Sequence, residues 1–151
     1  MLRHPLALIP LAFALAACGS DPPDDTPLGR DIAAILARPE QAVDTVKVQH
    51  VLLAFVGAKR GSESKRDYAA ARTVTADVLL RARSGDDFPT LVKQFSYEEG
   101  SGIETLTARN RDDYAANFAA IAFRLAVGEI GVAAYHSSKS PFGFHVIKRL
   151  E

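Results

Sequence analysis

Two histidines stand where histidine is an awkward residue. His50 lies inside Val46-Lys-Val-Gln-His-Val-Leu-Leu-Ala-Phe55, and His145 lies inside Phe144-His-Val-Ile-Lys-Arg-Leu150. Both stretches are rich in β-branched and apolar residues and read as strands. Alternate residues of a strand share a face, so His50 keeps company with Val48 and Leu52, and His145 with Ile147. A neutral imidazole carries one donor and one acceptor, and burying either without a partner is costly. Two arrangements answer this. Neighbouring strands let the rings satisfy each other, or each ring bonds separately to backbone. Other chemistries find less support. Two histidines with Glu98, drawn from scattered segments, do not make a ligand spacing for a metal, and no Gly-x-Ser-x-Gly nucleophile motif occurs. A hydrolase or metal enzyme built on His50, Glu98 and His145 is the weakest reading.

The elements that must position these residues follow from periodicity. After the strand over 46–55 comes a polar loop, Gly57 to Lys65, and then an Ala-rich stretch, Arg66 to Arg83, that predicts a long helix ending at Ser84-Gly85. Phe88, Leu91, Val92 and Phe95 fall at i, i+3, i+4 and i+7, with Asp86, Asp87 and Pro89 suited to a first helical turn. Phe118, Ile121, Ala122 and Leu125 repeat the spacing and predict a third helix closed by Gly128. Residues 129–135 and 144–150 read as strands of a C-terminal hairpin. A strand, helices and then strands make an α+β domain with a small antiparallel sheet covered by helices. At 151 residues the chain has room for one domain with extras, and 48% hydrophobic with 24% charged residues is globular composition. Lys+Arg equal Asp+Glu at 18 each, so the basic excess that nucleic-acid binding needs is missing. The one cysteine excludes an internal disulfide and a Cys-rich zinc site.

The N-terminus reads as separate from this fold. Met1-Leu2-Arg3-His4 is a short basic start, and Pro5 to Ala17 is apolar without a break. Such a stretch is too short for a spanning helix, which needs about 20 residues, and reads as the core of a secretory signal. Leu15-Ala16-Ala17-Cys18 resembles the bacterial lipobox. That resemblance implies a signal peptide over 1–17 and lipidation of Cys18, anchoring the chain to the bilayer. It implies a cell-envelope protein facing the periplasm. Gly19, where an aspartate would retain the chain at the inner membrane, slightly favours the outer one. Residues 18–45 then form a lipidated, Pro/Asp-rich tether with a short helix at Ile32, Ile35 and Leu36, beginning near Asp31 and ending before Pro39. This helix either packs on the domain, which runs over 46–151, or is a remnant of a longer arm.

Three pieces carry a family resemblance. They are Gln49-His50-Val51-Leu52-Leu53; Ser84-Gly85-Asp86-Asp87-Phe88 with Leu91 and Phe95-Ser96; and Phe118 to Phe123 with Val127-Gly128-Glu129-Ile130 and Phe142-Gly143-Phe144-His145-Val146-Ile147-Lys148. In this order and spacing the chain resembles the parvulin-type peptidyl-prolyl cis–trans isomerases over roughly residues 46–151. The resemblance implies a parvulin-like fold with His50 and His145 paired on adjacent central strands under the active site. It places Glu98 where the family carries cysteine or aspartate. It implies a proline cup from Phe118, with Tyr114 one helical turn earlier where methionine is common, Leu106 as a wall and Phe142 nearby. Each of these also has a plain reading: Glu98 as an exposed loop acid, Phe118 and Leu106 as core, Tyr114 as surface.

The resemblance implies a cofactor-free isomerase that assists folding of exported proteins by acting on unfolded or proline-containing polypeptides. The alternative is a catalytically weak, membrane-anchored binding module of the same fold. The sequence departs from the family in Ser101-Gly102-Ile103-Glu104-Thr105-Leu106-Thr107, which replaces a glycine-rich loop, and in a longer turn before the last strand, where Ser140 is a candidate hydroxyl behind His145. Lys59-Arg60 and Lys65-Arg66 read as a solvated loop, or less readily as a phosphate-binding cluster.

Overall fold

The computed structural model describes residues 24–151; the signal segment and Cys18 lie outside the described residues. Four strands, β1 (Thr45–Leu53), β2 (Ile103–Thr107), β3 (Ile130–Ala133) and β4 (Phe144–Arg149), form an antiparallel sheet in the order β2-β1-β4-β3. The helices are α1 (Pro27–Leu36), α2 (Tyr68–Arg83), α3 (Phe88–Phe95) and α4 (Ala116–Ala122), with a 3₁₀ turn at Arg111–Asp113. This is the α+β sheet-and-helix architecture expected from the sequence.

Strand alternation splits the core into two layers. Val51 and Leu53 of β1, with Val132, Phe144 and Val146, face α2 and α3 and meet Val78, Phe88, Leu91 and Val92. Val46 and Val48, with Ile147 and Ala133, face the other way and meet Phe118, Ile121, Leu125 and Leu106. The period-2 pattern of β1 therefore puts His50 on the α4 side. Capping follows the sequence closely. Asp67 and Asp87 accept backbone N–H bonds from Ala70 and Thr90 at the starts of α2 and α3.

Three local readings change. Ile103–Thr107, read as an altered loop, is the edge strand β2. Its residues alternate inward Leu106 with exposed Ile103 and Thr105, so it carries no apolar run to mark it. The helix at Phe118 stops at Ala122, six residues short of Gly128. Leu125 reaches the core from a turn in which Arg124 and Leu125 both donate to the Ile121 carbonyl. The short helix starts at Pro27, where Thr26 caps it and accepts from Gly29, so the spacer's end is ordered structure and Asp24 pairs with Arg72.

Helix α1 packs on the domain. Leu28 and Ile32 enter one core layer and Ile35 the other. Gly131 of β3 makes room for it, since a Cβ there would stand 2.6 Å from Ile35 Cδ1. Arg83 holds the junction, donating to both carboxylate oxygens of Asp31 at 2.7 and 3.0 Å and to the Ile130 carbonyl at 2.7 Å.

Candidate active site

The register of β1 against β4 decides the site. His50 lies opposite Ile147 and Leu52 opposite His145, so the two histidines are diagonal neighbours on one face. Their Nδ1 atoms are 3.3 Å apart. Both rings are buried, with His50 5% and His145 6% exposed.

Glu98 arrives from the end of α3. Tyr97 N–H donates to the Leu52 carbonyl at 2.8 Å, Leu52 N–H donates to Ser96 Oγ at 3.2 Å, and the Tyr97 hydroxyl donates to the Arg60 carbonyl at 3.0 Å. The next residue, Glu98, thereby places Oε2 3.9 Å from His50 Nε2. The proton arrangement follows. The Glu98 carboxylate facing Nε2 favours the tautomer in which Nε2 carries the proton, Nδ1 accepts and His145 Nδ1–H donates to it. Burial holds His50 neutral and lowers its pKa to about 4. Burial, with the neighbouring His50, lowers that of His145 to about 3. Glu98 moves the opposite way. Partial shielding in the hollow raises its pKa, Glu104 adds to this, and Arg60 opposes it.

An aromatic wall stands over the imidazoles. Phe118 meets His50 edge to face at 5.1 Å and His145 likewise at 5.1 Å. Tyr114 lies nearly parallel to Phe118, 5.9 Å away, and its hydroxyl donates to Glu104 Oε2 at 3.0 Å. Tyr114 reaches this position from the extended residue before α4, not from the helix itself. The start of α4 is pinned by Asn117, whose N–H donates to the Lys139 carbonyl and whose side chain donates to that of Ala134.

These side chains enclose a hollow of about 150 Å³ lined by His50, Glu98, Tyr114, Phe118, Phe142 and His145, with Glu104, Ala115 and Asp113 completing the rim. Hollows of about 430 Å³ and 510 Å³ border α1 but contain no histidine. Of the catalytic and proline-cup residues expected from the sequence, Leu106 alone stays off the lining. It is fully buried beneath, opposite Val46 in the core layer that holds Phe118. Ser140 is also buried, but its hydroxyl makes no hydrogen bond, and neither does His145 Nε2, so the two are not hydrogen-bonded to each other. The first basic pair is not merely solvated. Lys59 and Arg60 stand 5.5 and 5.8 Å over the Phe142 ring.

Glu104, Asp113 and Gly102 were not legible as site residues. Glu104 stands alone and Asp113 follows Asp112, both in polar stretches. The alternation of Ile103, Thr105 and Thr107 is the signal that would have found β2 and hence Glu104. Gly102 has φ 65°, and its carbonyl accepts from His50 N–H at 2.9 Å. A Cβ there would stand 2.4 Å from the His50 carbonyl oxygen. Gly102→Ala is expected to cost about 1–3 kcal/mol and to move the His50 ring. Denaturant melts and the His50 ring NMR signals check this, and an unchanged midpoint with unchanged signals would contradict it.

A sheet in the order β2-β1-β4-β3 with paired histidines below an aromatic-walled hollow defines a parvulin-like domain. The comparisons agree. Residues 34–151 match the PPIC-type PPIase domain, and the chain belongs to that family of peptidyl-prolyl isomerase domains. It is 37% identical over 123 residues to the chaperone SurA of Albidiferax ferrireducens, an alignment covering 74% of this chain. The chain spans about a quarter of that relative's length, 25%. The fold is also that of peptidyl-prolyl isomerase ESS1 from Candida albicans, with a TM-score of 0.58 at 18% identity, covering 87% of this chain and 80% of the other.

Proposed function

We propose that the hollow over His50 and His145 is the catalytic site of a cofactor-free peptidyl-prolyl cis–trans isomerase. The observation that carries the reading is the buried imidazole pair floored beneath Phe118 and Tyr114. Peptide-bond resonance sets a rotation barrier of about 18–20 kcal/mol, and X-Pro turnover takes about 10–100 s unaided. The chemistry needs no nucleophile. A site speeds rotation when it fits the twisted amide better than the planar one. Phe118 and Tyr114 hold the proline ring away from water. Glu98, held near neutral His50, opposes negative charge on the carbonyl oxygen and so disfavours the planar, charge-separated resonance form. Each 1.4 kcal/mol, roughly, removed from the barrier gives a tenfold rate.

The protein is lipidated at Cys18 after removal of residues 1–17 and faces the periplasm from the cell envelope, preferably from the outer membrane. There its substrates are unfolded or proline-containing exported polypeptides. The support is the lipobox-like Leu15-Ala16-Ala17-Cys18 and the similarity to a chaperone. The 3.9 Å separation of Glu98 from His50 favours a second reading, in which the hollow binds proline segments with little catalysis. Cis-to-trans relaxation of a proline peptide with and without the full-length chain separates the two. Acceleration that His50→Ala lowers supports catalysis. Peptide binding and aggregation suppression with no acceleration would replace it by the second reading. Mass analysis of the chain from envelope fractions tests the anchor, and an unmodified Cys18 thiol would refute it.

A further inference from the structure

The hollow carries more acid than an isomerase of apolar X-Pro bonds requires. Glu98, Glu104 and Asp113 all stand at its lining, and among the described residues no lysine or arginine forms an ion pair with any of them. The nearest arginine in sequence, Arg111, is held elsewhere, bidentate on Glu40 at 2.9 and 3.0 Å. Lys59 and Arg60 gather over Phe142, and Arg60 is near enough to Glu98 to favour its charged form. The rim is thus polarised, acidic beside β2 and the 3₁₀ turn, basic beside the loop after β1.

A second observation points the same way. His145, 6% exposed, lines the hollow and holds Nε2 without a hydrogen-bond partner. With its Nδ1–H given to His50, that nitrogen is an acceptor. Beyond the Tyr114 hydroxyl, already used on Glu104, the lining beside β2 and the 3₁₀ turn offers the carboxylates of Glu104 and Asp113, while His145 Nε2 stays buried.

We infer that the site selects prolines flanked by a cationic side chain, and that Glu104 and Asp113 are the specificity-determining residues. This rests on the isomerase reading above. An arginine or lysine next to the bound proline extends toward the acidic end while the proline ring lies on Phe118 and Tyr114. A guanidinium supplies the donors that a carboxylate-rich rim accepts. An acidic neighbour would be repelled there.

The test uses the full-length chain in mild detergent and proline peptides bearing arginine, leucine or glutamate directly before or directly after the proline. For one of the two positions, kcat/KM at low salt is expected to be about tenfold higher for arginine than for glutamate, with leucine between, as one partly screened ion pair allows. High salt narrows the spread. Glu104→Gln with Asp113→Asn lowers the arginine-to-leucine ratio toward one, and as a ratio it is insensitive to any general loss of activity. Equal values at both positions overturn the inference and leave the isomerase reading standing. A preference for glutamate also overturns it and assigns selection to Lys59 and Arg60. If no peptide isomerises faster, the isomerase reading fails, and titration of the same peptides still decides the inference by whether arginine peptides bind more tightly.

Discussion

Phe118→Ala is expected to reduce isomerisation by about 100-fold and to destabilise the fold by about 3–5 kcal/mol. One residue carries both effects because it serves both layers of the argument. Its ring is 3% exposed in the core with Val46, Val48 and Ile147, yet its upper surface lines the hollow and touches both imidazoles and Tyr114. Phe118→Leu separates the roles. Leucine keeps much of the apolar volume, so the stability loss shrinks, while the flat face for the proline ring is gone and activity stays low. Denaturant midpoints and relaxation rates measured on both variants check the pair. Phe118→Ala turning over within twofold of the wild type would remove the aromatic wall from the mechanism.

Acid is expected to weaken the fold steeply between about pH 6.5 and pH 4. A buried neutral histidine with a folded pKa near 4, as at His50, or 3, as at His145, binds its proton less readily than the unfolded chain, whose histidines titrate near 6.5. Stability from this source is complete above the unfolded value and falls as the pH drops toward the folded one. Each histidine contributes up to about 1.4 kcal/mol per pH unit across that window. Denaturant midpoints at stepped pH measure the slope. Replacing one ring, as in His50→Leu, leaves the other with an unpaired Nδ1 and is expected to cost about 1–3 kcal/mol, whereas His50→Leu with His145→Leu costs less than the two single changes added. Additive losses, or midpoints flat from pH 7 to pH 4.5, would contradict a paired buried site.

The parts of this molecule that could be read from the chain are those whose physics is local. Asp87 and Pro89 announce the start of α3, and β1 shows itself by a continuous run of apolar and β-branched residues. His50 and His145 show themselves by being polar within such runs. What escaped was set by tertiary partners. Strand β2 exists because β1 offers it an edge, while its own sequence buries only Leu106. Leu125 belongs to the core without belonging to α4, because the turn after Ala122 delivers it there. Tyr114 stacks on Phe118 from outside the helix, a contact that helical spacing placed correctly for a different geometric reason. The acidic end of the hollow was invisible for the same cause, since Glu104 and Asp113 meet only when β2 and the 3₁₀ turn come together.

Exchange NMR on a labelled full-length chain with a proline peptide in excess tests the central claim most directly. The expected result is faster exchange between the peptide's cis and trans signals, with perturbed ring signals of Phe118, Tyr114, His50 and His145. Cis and trans signals exchanging no faster than in buffer, or perturbations confined to the hollow between α1 and α2 beside Leu28 and Tyr68, would contradict it.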